Sequence, residues 1–277
     1  GGSVATGTGG VGTGGISGTG GNGIISTGGT GSGGTGSTAA ATGGRIGTGG
    51  TATGGTGTGG AGTGGAGTGG AGTGGTSGQR IISIDFVGGQ TAMTSTEIAG
   101  VKPAARWNNA PGASGSLTAF ADNQGNSMNC GLTWTAGTGG VWRLSWPDAP
   151  GNTRMMNGYL DPISASAPAK VEVTGLPSSI TGSGYDVYVY AYGPLSSGTR
   201  TSIYAIGSTS ISVTQTGPSA STFTGYTPAP PGGSGNYVVF RGVTGSSFTL
   251  TATPGTASGT QTRAPLNGIQ IVSPSGS

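Results

Sequence analysis

The chain has 277 residues, a formal charge of +3 and a pI near 9.2, yet only 6% of its residues are charged and just two are lysines, Lys102 and Lys170. The high pI therefore reflects scarcity of charge, and with no Lys/Arg cluster a nucleic-acid partner is not expected. Histidine is absent, which removes the commonest general base and every Ser-His or Cys-His arrangement, and no apolar run approaches the ~18 residues that mark a membrane span.

Residues 1–78 form an arm of their own composition: 38 glycines, no proline, no acidic residue and a single charge, Arg45. Fixing each backbone residue costs about 1–2 kcal/mol, and glycine has the most freedom to lose. The sizeable apolar side chains offered in return include Ile24, Ile25 and Ile46. Backbone hydrogen bonding and close packing against other chains would have to order such a segment, and the lack of proline leaves every N–H able to take part. From Thr48 a pentad of the TGGAG type sets in, with Thr48, Thr53, Thr58, Thr63, Thr68 and Thr73 in strict register through residues 48–77. In an extended strand an odd repeat places successive threonines on opposite faces, giving a two-sided ribbon of small side chains. The pentad resembles the glycine-rich units of elastin-like and silk-like proteins but lacks the proline that sets turns in some of them. A flexible spacer of the Gly/Ser kind is the competing reading, and fully extended it reaches roughly 250 Å.

The character changes at Gln79-Arg80: residues 79–277 hold all 15 prolines, all four tryptophans and all seven acidic groups. This part is long enough to bury a substantial core and is predicted to be all-β. In chain order, alternation marks Ile82 to Phe86, and further strands are expected at Leu117 to Ala121, Leu132 to Thr135, Val141 to Trp146 and around Val171 and Val173. Tyr185 to Tyr192, Thr201 to Ile206, Ile211 to Thr214, Tyr237 to Arg241, Phe248 to Thr253 and Ile269 to Val272 follow, separated by Gly/Pro turn signals such as Pro150-Gly151 and Pro254-Gly255. No segment holds a helical period over three turns. About ten short strands at this spacing predict a two-sheet, jelly-roll-like sandwich.

No catalytic residue stands out. Asp85, Glu172 and Asp186 sit in strand patterns on what should be solvated outward faces, and nothing in the spacing of the seven carboxylates brings two together as a glycosidase needs. Cys130, alone between Asn129 and Gly131, reads as a buried apolar group. Asp122, Asn123 and Asn126 offer oxygen ligands for a cation around a glycine turn, but they lack the carboxylate count of a calcium loop, and an Asx-rich turn explains them better. No cofactor is implied. The best binding candidates are aromatic: Val187 and Val189 should face the core, leaving Tyr188, Tyr190 and Tyr192 in a row on the other face, while Trp107 beside Asn108-Asn109 reads as exposed. Trp142, Leu144 and Trp146 share a face that reads as core. The tyrosine row and Trp107 suit either a subunit interface or stacking on sugar rings.

The runs Met155 to Asp161, Val171 to Pro177 (VEVTGLP), Tyr185 to Gly193 (YDVYVYAYG), Gly235 to Gly242, Phe248 to Gly255 and Arg263 to Val272 (RAPLNGIQIV) resemble a β-sandwich domain of bacterial extracellular and surface proteins. The layout is similar to carbohydrate-binding jelly rolls, and the resemblance implies fold and compartment more than activity. A first residue of glycine in place of methionine reads as a processed end, so an extracellular or cell-surface location is expected. Two functions are carried forward. One is a non-catalytic subunit of an extracellular filament or surface fibre that associates with itself through the arm. The other is a module that binds polysaccharide and is carried on a glycine-rich spacer.

Overall fold

The computed structural model describes residues 78–274, so the candidate arm residues Ile24, Ile25, Ile46 and the pentad threonines lie outside the described residues. After β1 (Ile81–Gly88) a long loop leads to β2 (Asn108–Pro111), β3 (Ser114–Leu117), β4 (Phe120–Ala121), β5 (Ser127–Met128) and β6 (Gly131–Thr135). A 3-10 turn then precedes β7 (Val141–Arg143), the short helix α1 (Asn152–Asn157), β8 (Gly158–Leu160) and β9 (Ala169–Thr174). A single turn of helix, α2 (Ser178–Thr181), opens the last run: β10 (Tyr185–Tyr190), β11 (Thr199–Ile206), β12 (Thr209–Thr216), β13 (Tyr237–Val243), β14 (Phe248–Ser258) and β15 (Gly268–Val272).

These strands build an all-β sandwich. Five form one sheet in the order β13-β10-β15-β1-β2, and six form the other in the order β12-β11-β14-β9-β6-β3. Every pairing within the two sheets is antiparallel except β1 with β2. The six-stranded sheet behaves as its alternation demands: in β9, Ala169, Val171 and Val173 are buried while Lys170, Glu172 and Thr174 are exposed. Its buried side chains meet Ile82, Ile84, Phe86, Val187, Val189, Ile269 and Ile271 from the five-stranded sheet in one inter-sheet core, which also takes in Cys130.

The five-stranded sheet differs, because its strands β1 and β15 are covered on both faces. β1 is buried along seven of its eight residues and β15 along all five. The face turned away from the inter-sheet core carries a second cluster of Ile81, Tyr188, Tyr190 and Val272, roofed by Met93, Trp107 and Trp146 from the connecting loops and by Met155 and Met156 from α1. Loops and this short helix thus act as a third layer. Each large apolar side chain so buried contributes roughly 1.5–3 kcal/mol, which offsets part of the entropy lost in ordering such long connections.

Candidate functional site

The tyrosine row lies on the face that alternation assigns it, opposite Val187 and Val189, but it is not an exposed surface. Tyr188 and Tyr190 are 6% and 0% exposed, and Tyr192 is half-buried with its ring 5.4 Å from that of Trp146. Trp107 also departs from expectation: it is buried, its Nε1–H donates to Ala104 O at 3.0 Å, and it sits over Gly268, where a Cβ would come within 3.3 Å of its ring. The reason is common to all of them. Loops 89–107 and 218–236 fold back over the sheet and bring Tyr226 to 5.3 Å from Tyr190. Trp142 is a correction in the other direction, 55% exposed, because β7 stops at Arg143 and only Leu144 and Trp146 turn inward.

Six of the seven acidic residues are ion-paired. Glu97 and Asp148 share Arg154, Asp122 pairs with Arg80, Asp161 with Arg263, Glu172 with Lys170 and Asp186 with Arg241. Glu172 and Asp186 keep some exposure, but Asp85 is 1% exposed and neither of its carboxyl oxygens has a hydrogen-bond partner. The nearby Met93 N–H donates instead to Asn109 Oδ1 at 2.9 Å. Burial pushes the Asp85 carboxyl well above the ordinary carboxylate range; the charge of Glu97 adds to this and Arg154 opposes it. No alternation argument could find this residue, since β1 is covered on both faces.

Asp122, Asn123 and Asn126 form a clamp. Asp122 Oδ1 accepts from the N–H groups of Gln124 and Asn126 at 3.0 and 2.8 Å, and Oδ2 accepts from Asn126 Nδ2 and Arg80 Nη1, both at 2.8 Å. The carboxylate is thereby occupied as an Asx turn with an ion pair. Asn123 reaches the start of β1: its Oδ1 accepts from Ile81 N–H at 3.0 Å and its own N–H donates to Ile81 O at 2.8 Å. On the other side Arg80 N–H donates to Ser273 Oγ at 3.0 Å and Ser273 N–H donates to Arg80 O at 2.9 Å. The point where the arm joins the sandwich is therefore held on two sides, and the start of β1 runs beside the end of β15.

Next to this junction is a cavity of about 350 Å³ whose lining includes Lys102, Asp186, Tyr188, Arg241 and Ser273. Arg241 lies on β13, an outermost strand of the five-stranded sheet. A second cavity, of about 330 Å³, opens beside Tyr192 and is lined by hydroxyl and amide side chains, among them Thr214, Gln215, Ser219, Thr227 and Asn236. No family model, curated protein or solved structure matches the chain.

Proposed function

We propose that the protein is a non-catalytic structural subunit of an extracellular filament or surface fibre, with the sandwich as its body and the glycine-rich arm packing against neighbouring subunits. The observation that carries this reading is the clamp at the arm's root, where Arg80 and Ile81 are tied to Asp122, Asn123 and Ser273. A spacer needs only a covalent attachment, whereas an arm that transmits position or load gains from a fixed point of departure. The outermost strands β3 and, beyond Tyr237 where Pro228 already pairs, β13 offer edges at which an extended segment can add by main-chain hydrogen bonds. Low charge favours the same use, because few ions lose water when such surfaces close.

A polysaccharide-binding module is the second reading, supported by the uncharged groove beside Tyr192. Light scattering on the chain with and without residues 1–78, beside retention of both on insoluble polysaccharides, separates the two. The filament reading predicts large particles that disappear on truncation. Retention that survives truncation, with both samples monomeric, would replace it by the second.

A further inference from the structure

Residues 91–104 cross the outer face of the five-stranded sheet with little apolar anchorage: Met93, Ala99 and Ala104 are buried, two of them only alanine, and Ile98 is 51% exposed. Polar contacts hold the segment instead. Met93 N–H donates to Asn109 Oδ1 and Met93 O accepts from Asn109 Nδ2, both at 2.9 Å. Gly100 N–H donates to Asn152 Oδ1 at 2.9 Å, Val101 N–H donates to the Tyr190 hydroxyl oxygen at 2.7 Å, and the Lys102 main chain exchanges two hydrogen bonds with the Gln270 amide. Glu97 pairs with Arg154 of α1. Water can stand in for each of these partners, which is the property of a segment that opens locally while the rest of a domain stays folded.

Asp85 lies beside Met93, under this segment. Its side chain is closed from solvent and neither carboxyl oxygen accepts a hydrogen bond. The sheet offers it no charge: Gly268 stands opposite on β15 and Asn109 on β2, the Asn109 amide is committed to Met93, and Ser83 and Gln270 on the same face are neutral. Two charged groups act on it from the covering side, Glu97 of the segment and Arg154 of α1. Arg154 is shared between Glu97 and Asp148, so two carboxylates already answer one guanidinium. A carboxylate at this position would have no water, no donor and no unshared cation, and only the neutral acid is stable there while the segment stays down.

We propose that residues 91–104 are a pH-operated cover, closed over Asp85 as the neutral acid and opened when Asp85 releases its proton to solvent. Opening takes the Val101 N–H from the Tyr190 hydroxyl and both Lys102 main-chain groups from the Gln270 amide. A polar strip at the centre of the sheet, shut in the closed form, then faces water and whatever partner the water holds. The inference stands on the enclosure of Asp85 and holds whether or not the chain forms filaments.

Hydrogen exchange of the full chain from about pH 5 to 8, read by mass spectrometry as protection factors, tests it. The amides of Gly100, Val101 and Lys102 are compared with those of β14. In the open form Asp85 ionises near the ordinary 3.9, so opening releases one proton, and loop protection is expected to fall about tenfold per pH unit until the closed form itself ionises. It should stay below that of β14 throughout, and Asp85→Asn should remove the pH dependence. Loop protection that is constant over this range in the unaltered chain overturns the proposal, and that result needs no variant to fold. Equal protection of loop and β14 would mean that only unfolding of the whole domain reaches Asp85, and an undiminished slope in Asp85→Asn would place the titrating group elsewhere; either result also overturns the cover.

Discussion

Trp107 lies against Tyr190, ring centroids 6.1 Å apart, and both are sealed inside the domain beneath loops rather than displayed on it. This contact helps turn the outer face of the five-stranded sheet into a second core that encloses Trp107 and Tyr190. Surfaces open to a partner among the described residues include the exposed Trp142 and Ile98, the groove beside Tyr192, and the cavity lined by Lys102, Asp186, Tyr188 and Arg241.

Truncating Trp107 should therefore cost stability, not binding. Trp107→Ala is expected to destabilise the domain by about 3–5 kcal/mol in urea denaturation, whereas Trp142→Ala should stay within about 0.5 kcal/mol of the parent. Equal and small effects from the two would mean that the loop roof is not part of the cooperative structure.

Asp85 makes stability fall as pH rises. Burial raises its folded-state pKa above the unfolded value near 3.9. Its contribution is thus fully present below about pH 4 and is lost as the pH climbs to the folded-state pKa, because the unfolded chain releases the proton first. Asp85→Asn should flatten the decline in unfolding free energy above about pH 4. A slope identical in the two chains would assign the pH dependence elsewhere.

In the clamp, both carboxylate oxygens of Asp122 accept from protein donors. Asp122→Ala removes charge-assisted bonds worth about 1.5–3 kcal/mol each before compensation, and should speed amide exchange at residues 79–81 and 122–126 well before the rest of the domain is affected. Millimolar calcium should leave the melting temperature of the parent unchanged, since a ligand that binds only the folded state must raise it.

Gly158 tests the crossing of β8 over β1. A Cβ at this position would lie 1.9 Å from Val87 O, a backbone atom with little room to give. Gly158→Ala is expected to lower stability by about 3 kcal/mol, measured by chemical denaturation; a neutral result would mean the two strands separate more easily than their packing implies.

The strands that carry regular alternation were legible in the sequence. Val187 and Val189 face the inter-sheet core and Tyr188 and Tyr190 the opposite side, as period-two patterning requires. Patterning fixes a face but says nothing of what covers it, so burial of the tyrosines and of Trp107 by loops without periodicity could not be read. One signal was available: Trp107, Trp146, Phe223 and Tyr226 all lie outside the regular strands, more large aromatics than loops over a single core would carry. β2, β5 and β8 were missed because four, two and three residues are too few to show a period. The pairing of β1 with β15, the first strand with the last, is settled by long-range packing rather than local sequence.

The central claim is that the arm assembles the protein. Negative-stain electron microscopy of the undenatured full chain, beside the same chain lacking residues 1–78, tests it most directly. Filaments in the first sample that are absent from the second are the predicted result; dispersed single particles in both would contradict it.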